Sequence, residues 1–466
     1  MLSEGTIIAL ATPQGIGAIG VIRLSGPLSF EKTSVFFYPK SNKRWEDIQS
    51  NTTVLGSFVV NKQLIDEVLI TRFNNPNSYT GEDVVEIACH GSSYIQQKII
   101  SSYIALGIQP AKAGEFTLRA YLNKKMDLSQ AEAVSDIIAS ESKASHEIAI
   151  KQMRGGFSKK MEALRKQLIK FKALIELELD FIEEDVSFAN KKELKNLLFE
   201  LHKEIYNLKN SFAYGNVIKN GVPVTIAGKP NAGKSSLLNA LFMEEKAIVS
   251  KLPGTTRDTI EDTLIIEGIL FRFIDTAGLR ETDDVIEAIG VQKARDKVTQ
   301  ATLLIYLYER TSDPKELALE LKSLYHPGLK IILVENKIDQ YADGFNQEFN
   351  EKITFTIQKE FKSQSLGIST LKNESIDLLK NELVHVIKRM GNQNDVIVNN
   401  TRHFYALTEA LIAIESITKG LENNLPGDLL SIELKEAIYH IGTITGEIDT
   451  DHDILGSIFG QFCIGK

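Results

Sequence analysis

The sequence has few cysteines and no long apolar run. Cys89 and Cys463 are the two cysteines among 466 residues, which excludes a disulfide scaffold and predicts a reducing, cytoplasmic environment. No segment approaches the ~20 apolar residues of a membrane-spanning helix. The opening residues, MLSEG, have neither the basic region nor the apolar core of a signal peptide. We therefore expect a cytoplasmic protein without a membrane segment.

Positive charge is also in the minority. The formal net charge is −8, which argues against sequence-independent binding of a polyanion by the whole surface, although a local basic cleft for RNA stays compatible with it. A chain of 466 residues is too long for one ordinary core, so the length predicts several domains.

The central motif is GKPNAGKS, at residues 228–235. An apolar run at 222–227 precedes it and helical spacing follows it, so a strand, a glycine loop and a helix are predicted in that order. Glycines let backbone N–H groups surround a phosphate at the helix N-terminus. Lys234 would reach the β- and γ-phosphates, and the Ser235 hydroxyl would hold Mg²⁺. A chance glycine turn is the alternative, but the context favours a nucleoside triphosphate site.

Three further motifs predict that the base is guanine. Asp275 opens DTAG after an apolar run at 269–274, and it can act on Mg²⁺ through water. Asp339 closes NKID after another apolar run, and its carboxylate can accept hydrogen bonds from N1 and the 2-amino group of guanine. Thr256, in PGTTRD, is the predicted switch threonine and Mg²⁺ ligand. Ser369 marks the last guanine-contacting loop.

Two positions differ from Ras-type GTPases. Leu279 follows DTAG where Ras has its water-orienting glutamine, and a leucine cannot polarise water. Asn231 lies inside the glycine loop, where its side-chain oxygen could hold a monovalent cation, or where it could cap its own backbone. From the residues alone, both interpretations of Asn231 stay open. The nearest downstream acidic candidates for water positioning are Glu281, Asp283, Asp284 and Glu287.

The flanking regions differ in pattern. Before residue 114, alternating runs predict a small α+β domain, and from 114 onward the spacing is helical. The pattern predicts a helix at 194–212, a linker at 214–221 and, after the nucleotide domain, helices at 375–390, 401–418 and 429–441. The last two helices would complete the bundle begun before residue 215, with the nucleotide domain inserted between its halves. The acidic cluster at 181–185 is assigned no metal.

Cys463 lies near the carboxyl end, in FCIGK. It is either an incidental cysteine of a packed tail or a reactive thiol on a mobile arm, where Lys466 would favour the thiolate. The residues leave both interpretations open.

Several motifs along the whole chain resemble the MnmE (TrmE) family of tRNA-modification GTPases, in the TrmE-Era-EngA-like superfamily. These are ATP at 11–13, IRLSG at 22–26, SYTGED at 78–83, GEFTLRA at 114–120, DLSQAEA at 127–133, the GTPase motifs and FCIGK at 462–466. The resemblance implies a multidomain α/β and α protein. Its domains would be an N-terminal α+β folate-binding and dimerisation domain at 1–120, the two halves of a discontinuous helical bundle at 121–218 and 387–466, and an inserted Ras-like P-loop G domain at 219–386.

The resemblance also implies the site residues. Glu287 would orient the attacking water, and Cys463 would take part in the chemistry. K⁺ would be held by Asn231, Ser250, Leu252 and Thr255; Mg²⁺ by Ser235 and Thr256; and 5-formyl- or 5,10-methylene-tetrahydrofolate by Arg23, Glu82, Lys125 and Lys466. The full GTP-binding set would be Asn231, Ala232, Gly233, Lys234, Ser235, Ser236, Ser250, Lys251, Leu252, Pro253, Gly254, Thr255, Thr256, Asp275, Thr276, Ala277, Gly278, Asn336, Lys337, Asp339 and Ser369.

The implied function is a homodimeric, K⁺-dependent GTPase activated by G-domain dimerisation. With the flavoprotein MnmG, which brings FAD and uses NADH, it would add an aminomethyl or carboxymethylaminomethyl group at C5 of the wobble uridine of certain tRNAs. Ile16, Cys89 and Thr370 depart from common family residues. The competing interpretations are a translational or ribosome-assembly GTPase of the same superfamily, and a binding protein with a silent G domain.

Overall fold

The computed structural model describes residues 5–41, 44–180, 191–243, 261–274, 298–341, 348, 351, 363–391, 396–423, 425–448, 452–460 and 462–465. The chain divides into two compact units. The first comprises Met1–Ile138, Ile150–Phe199 and Glu409–Lys466, and the second comprises Ala139–Ala149 and Glu200–Thr408.

A seven-stranded sheet forms the amino-terminal part of the first unit, with the strand order β3-β4-β5-β6-β2-β1-β7. Strands β4 and β5 alternate between buried and exposed residues, so one face of this antiparallel pair is in the core. The alternating runs predict strands at 54–60 and 67–73, and the structure confirms both, with β4 and β5 beginning two and four residues earlier. The strands are β1 (Ile7–Leu10), β2 (Ile19–Ser25), β3 (Phe37–Pro39), β4 (Thr52–Val60), β5 (Gln63–Phe73), β6 (Val84–His90) and β7 (Gln109–Pro110).

Two helices cover the buried face of this sheet. They are α1 (Ser29–Phe36) and α2 (Ser93–Ala105). Phe36 from α1 and Tyr103 from α2 meet edge to face, with ring centroids 5.3 Å apart, against Phe58 of β4. This aromatic contact joins helices and sheet in one core.

The remaining part of the first unit is helical. Helix α6 packs along α12, and its residues Leu164, Leu168, Phe171 and Ile175 are buried as their spacing predicted. The helices are α3 (Glu115–Leu122), α4 (Leu128–Ala139), α6 (Gly156–Asp180), α12 (Gly427–Thr445) and α13 (His452–Phe459). Helices α5 (Lys143–Met153), α7 (Lys191–Asn220) and α11 (Thr401–Glu422) contribute residues to both units.

The second unit is built on a six-stranded sheet with the order β13-β12-β11-β8-β10-β9. Strands β8, β10, β11, β12 and β13 run parallel, and β9 pairs antiparallel with β10. The strands are β8 (Val222–Gly228), β9 (Glu261–Ile266), β10 (Ile269–Ile274), β11 (Leu303–Tyr308), β12 (Lys330–Glu335) and β13 (Ser363–Gly367). The carboxyl ends of β8, β11 and β12 therefore lie at one edge, where ligands bind in open α/β sheets.

Helices cover both faces of this second sheet. One core includes residues of α8 (Lys234–Met243) and α10 (Asn373–Met390), and the other includes residues of α9 (Pro314–Leu324). The apolar strands are buried on both sides, as expected of a parallel sheet. The predicted multidomain α/β and α fold class is confirmed.

One prediction about the chain path is wrong. Residues 214–221 were expected to form a linker, but α7 continues to Asn220. Val217 and Ile218 are buried in the same core as β8, so this last segment of the helix packs against the nucleotide-domain sheet. Tertiary burial thus stabilises helix where a glycine and polar residues favoured a loop. Among the described helices, none is long and apolar enough to cross a bilayer.

Candidate functional site

The loop at residues 228–235, called the nucleotide loop below, joins β8 to the N-terminus of α8. The Lys234 ammonium turns back over the loop and donates to the carbonyls of Gly228 at 2.8 Å and Lys229 at 3.0 Å. Desolvation lowers the pKa of Lys234, and the charge of Glu320 partly opposes this effect. Two neutral carbonyls thus hold a partly buried cation where a phosphate would arrive.

Asn336 fixes the far side of the nucleotide loop. Its side-chain nitrogen donates to the Ala232 carbonyl at 2.8 Å. Gly233 has φ +96°, and a Cβ atom there would lie 2.2 Å from that nitrogen. A side chain at Gly233 is therefore incompatible with the Asn336 bond, so this glycine is required by close approach as well as by its backbone conformation.

Lys337 provides a second connection. Its Nζ donates to the Asn231 carbonyl at 2.8 Å and pairs with Glu309 at 2.6 Å. Asn231 has φ +61°, a conformation that asparagine tolerates better than most residues. The side chain of Asn231 is exposed. The loop geometry therefore suits both interpretations of Asn231, the cation ligand and the turn residue.

The predicted guanine-contacting residues lie on neighbouring loops. Asp339 is exposed in a short 3-10 helix, Ile338–Gln340, directly after β12. The Ile338 N–H donates to the Ile368 carbonyl, at 3.3 Å, and so joins this loop to the one that carries Ser369. Ser369 is fully buried, and its Oγ accepts a bond from the Leu371 N–H at 3.3 Å. The two loops are thus brought together beside the nucleotide loop.

Much of the predicted GTP site lies outside the described residues. Ser235 and Ser236 are in the first turn of α8 and are exposed. The predicted residues outside the described ranges are Ser250, Lys251, Leu252, Pro253, Gly254, Thr255, Thr256, Asp275, Thr276, Ala277, Gly278 and Glu287, together with Leu279, Glu281, Asp283, Asp284 and Lys466. The acidic cluster at 181–185 also lies outside them.

A second group of charged residues, called the N-terminal cluster below, lies between β2, β6 and α3. It consists of Arg23, Glu82, Glu86, Glu115 and Arg119. Arg23 on β2 pairs with Glu86, its register partner on β6, with an Nη2–Oε1 distance of 2.7 Å. The Arg23 guanidinium lies over the rings of Tyr79 at 5.2 Å and Phe116 at 5.7 Å. Aromatic faces thus orient the cation.

Glu82 is held from two sides in the N-terminal cluster. One carboxylate oxygen accepts a hydrogen bond from the Ser25 hydroxyl at 2.7 Å, and Arg119 pairs with it at 3.0 Å. Arg119 also pairs with Glu115 at 3.1 Å and donates to the Gly5 carbonyl at 2.9 Å. The Arg119 side chain is 5% exposed, so this arginine orders Glu82 from within the fold.

Lys125 lies beside the loop that carries Glu82. Its Nζ donates to the Pro76 carbonyl at 2.9 Å, and its stem passes close to Gly81. The neighbouring Asn123 donates to the Thr80 carbonyl at 2.7 Å. The structure therefore brings Lys125 to the segment that carries Glu82, while Arg23 reaches it from β2 through Tyr79.

The carboxyl-terminal tail docks on the first unit through its backbone. Ile464 forms an antiparallel bridge with Ala113, and the Gly114 N–H donates to the Cys463 carbonyl at 3.4 Å. Gly465 has φ +95°, and a Cβ atom there would lie 2.2 Å from the Leu10 carbonyl oxygen. The Cys463 thiol is exposed. The docked backbone agrees with the interpretation of a packed tail, and the chemical role of the exposed thiol stays a prediction.

The other cysteine has a different environment. Cys89 on β6 is buried, and desolvation, reinforced by the charge of Asp66, raises the pKa of its thiol to about 11. It is therefore a thiol near neutral pH and a packing residue.

Ile16, the other N-terminal departure from the family pattern, is 96% exposed.

Sequence reasoning missed the partners of the predicted residues. Arg119 and Glu86 were not assigned roles, although Arg119 is a charge on the buried face of α3, next to Phe116 and Ala120. A cation at a core position must be paired, and that rule could have identified Arg119. Glu86 alternates with buried residues on β6, so its pattern was that of an ordinary outward-facing strand residue.

Comparisons with known proteins cover the whole chain. The family model for the GTP-binding protein TrmE N-terminus matches residues 6–125, and the model for the MnmE helical domain matches residues 128–463. Curated relatives named tRNA modification GTPase MnmE include one from Cytophaga hutchinsonii, 48% identical over 99% of this chain and 98% of that protein. Others are from Christiangramia forsetii, 47% identical, and Flavobacterium johnsoniae, 48% identical, each over 100% of both chains.

Proposed function

This chain belongs to the MnmE (TrmE) family of tRNA modification GTPases, and on that premise we propose that it is a K⁺-dependent GTPase that works with the flavoprotein MnmG on tRNA. It is a GTP hydrolase acting in tRNA modification. The proposed product is an aminomethyl or carboxymethylaminomethyl group at C5 of the wobble uridine. The observation that supports the GTP-binding part of the proposal is the connection of Lys234, Asn336 and Lys337 to one nucleotide loop.

Phosphate binding would replace the hydrogen-bond acceptors of the Lys234 ammonium. Lys234 now donates to the Gly228 and Lys229 carbonyls, and the β- and γ-phosphates would replace these neutral acceptors with charged ones. Ser235, in the first turn of α8, and Thr256 would hold Mg²⁺, with Asp275 acting through water. Hydroxyl oxygens are suitable ligands for this hard cation.

A K⁺ ion would supply positive charge beside the phosphates, where other GTPases place an arginine finger. Asn231 fits a role as one ligand because its side chain is exposed at the loop, while its own carbonyl is already taken by Lys337. Ser250, Leu252 and Thr255 would complete the set. Glu287 would orient the attacking water, because Leu279 has no group that could do so. Dimerisation of two G domains would then activate hydrolysis.

The N-terminal cluster fits a reduced folate in its donor set. Glu82 is ordered by Ser25 and Arg119 and is 26% exposed, so its carboxylate can accept hydrogen bonds from the pterin amino group. Arg23, Lys125 and Lys466 would bind the carboxylates of the glutamate tail. The bound folate would supply the one-carbon unit, and FAD and NADH would come with the partner. The Cys463 thiol is exposed on a docked tail, as a reactive group would need to be.

We propose that the protein is a cytoplasmic homodimer and that it assembles with MnmG. The match to the TrmE N-terminal model at 6–125 favours this function over a translational GTPase, which lacks that domain. The test is nucleoside analysis of tRNA from cells that lack the gene, complemented with the wild-type, Cys463→Ser or Glu287→Ala sequence. We expect the modified wobble uridine to be absent without the gene and with both variants. Unchanged modification in the gene-less cells would contradict the function.

A further inference from the structure

Two consecutive residues at the carboxyl end of β11 contact the segment that contains NKID. Arg310 donates from Nε to Glu335 Oε1 at 2.8 Å, and Glu335 is the last residue of β12. The Glu335 side chain is 0% exposed and that of Arg310 is 14% exposed. A carboxylate at such a depth depends on its paired cation, so this contact fixes where β12 ends.

Glu309, the residue before Arg310, makes the second contact, with Lys337. It pairs with Lys337 Nζ at 2.6 Å, and the same ammonium donates to the Asn231 carbonyl at 2.8 Å. Glu309 and Arg310 therefore form two ion pairs, with Lys337 and Glu335, on the two sides of Asn336.

Arg310 also reaches the other side of Asp339. Its guanidinium lies 4.1 Å from the centroid of the Tyr341 ring. Tyr341 ends the 3-10 helix that carries Asp339, with its N–H donating to the Ile338 carbonyl at 3.2 Å. One side chain thus contacts residues on both sides of Asp339, Glu335 through an ion pair and Tyr341 through a cation–π contact.

We propose that Arg310 is a positioning residue for guanine recognition. It fixes residues 335–341, called the base-recognition loop, so that the Asp339 carboxylate meets N1–H and the 2-amino group of the base. Glu309 holds the same loop through its ion pair with Lys337. This inference rests on the proposed GTP binding and adds a determinant of base choice that itself makes no contact with the nucleotide.

The test separates positioning from general stability by comparing two nucleotides. IDP lacks the 2-amino group of GDP, so it can make one of the two bonds to Asp339. IDP therefore loses one hydrogen bond to a charged acceptor. Because of this loss, we expect wild-type protein to bind GDP about tenfold more tightly than IDP. For Arg310→Gln we expect the preference for GDP to fall about threefold or more, because the misplaced carboxylate costs GDP two bonds and IDP one.

Two variants of Tyr341 and one control variant complete the test. Tyr341→Ala leaves the Arg310–Glu335 pair intact and should lower the same preference, whereas Tyr341→Phe keeps a ring face and should restore it. Arg389→Gln, at an exposed arginine of α10 in the same unit, is the matched control and should leave both dissociation constants unchanged. Melting temperatures show whether each variant is folded, and if Arg310→Gln is not, the Tyr341 pair decides.

Equal weakening of GDP and IDP binding, or no weakening, in both Arg310→Gln and Tyr341→Ala would overturn the positioning role. Wild-type protein that binds no GDP would instead contradict the proposed function, so the two failures are distinguishable.

Discussion

The nucleotide loop and the N-terminal cluster satisfy their cations in opposite ways. In the loop, the Lys234 ammonium donates to two neutral backbone carbonyls. In the cluster, Arg23 and Arg119 pair with carboxylates, those of Glu86, Glu82 and Glu115. Among the described residues, Lys234 is therefore bound by neutral acceptors that an anion can replace, while the arginines of the cluster already pair with carboxylates.

This difference predicts different kinds of recognition. A triphosphate gains strongly by replacing neutral carbonyls around Lys234. A ligand at the N-terminal cluster must compete with Glu86 for Arg23, while the ordered Glu82 is ready to accept N–H donors. The cluster thus suits a neutral heterocycle with amino groups better than a bare anion. The cationic contacts to a glutamate tail would depend more on Lys125 and Lys466.

The largest effect is expected from breaking the buried pairing in the cluster. Arg119→Met leaves the buried Glu115 without its cation and should lower the free energy of unfolding by about 3–5 kcal/mol. Urea unfolding followed by circular dichroism measures it. Arg154→Met, at an exposed arginine of the same unit, is the control and should change stability little. Equal stability of the two variants would show that the Arg119 network is not a structural requirement.

The next effect belongs to the nucleotide loop. Lys234→Ala should weaken GTP binding by about a hundredfold or more, because charge-assisted bonds to two phosphates are lost. Folate binding should be unchanged. Lys229→Ala is the matched control in the same loop, since Lys229 pairs with the exposed Glu316 at 2.9 Å and should matter little. Isothermal titration with both ligands makes the comparison, and a similar loss in both variants would contradict the role of Lys234.

A smaller effect is expected from undocking the tail. Gly465→Ala would bring a methyl group against the Leu10 carbonyl and should weaken folate binding about tenfold, as one charged contact, that of Lys466, is lost. Gly107→Ala is the control, because Gly107 also has a positive φ but has open space around its Cβ position. If Gly107→Ala lowers folate affinity as much, the tail is not part of the site.

The smallest effect tests the competition within the cluster. Glu86→Gln removes the charge that pairs with Arg23, so an anionic folate tail should bind about threefold more tightly at low salt. The gain should disappear with a folate analogue that lacks the glutamate. A lower affinity for the intact folate would mean that Glu86 itself binds the ligand. That result would contradict the role given to Glu86 as a competitor for Arg23.

The strand, loop and helix around the nucleotide loop were predictable because they are contiguous in sequence. A strand, a glycine loop and a helix are contiguous, and NKID and its following segment occupy strand ends that the parallel topology brings to one edge. Strands β8, β10 and β12 were predicted for the same reason, since each is a short apolar run. Glu309 and Arg310 carry no local signal, because their pairing with Lys337 and Glu335 depends on the register of two parallel strands.

The N-terminal cluster could not be predicted from spacing alone. Arg23, Glu82 and Arg119 come from a strand, a loop and a helix far apart in the chain, and only the resemblance connected two of them. The extension of α7 through residues 214–220 was missed for a related reason. Val217 and Ile218 are buried against a sheet that begins after them, and a local pattern does not report such packing.

The central claim is that the nucleotide loop hydrolyses GTP with K⁺ as its activating charge. GTP turnover by the full chain in KCl and in NaCl at equal ionic strength tests it most directly, with Asn231→Ala beside the wild type. The account predicts a rate at least about tenfold higher in K⁺ for the wild type, since the ion would stand in for an arginine finger, and a slow, ion-independent rate for Asn231→Ala. Equal wild-type rates in the two salts would contradict it.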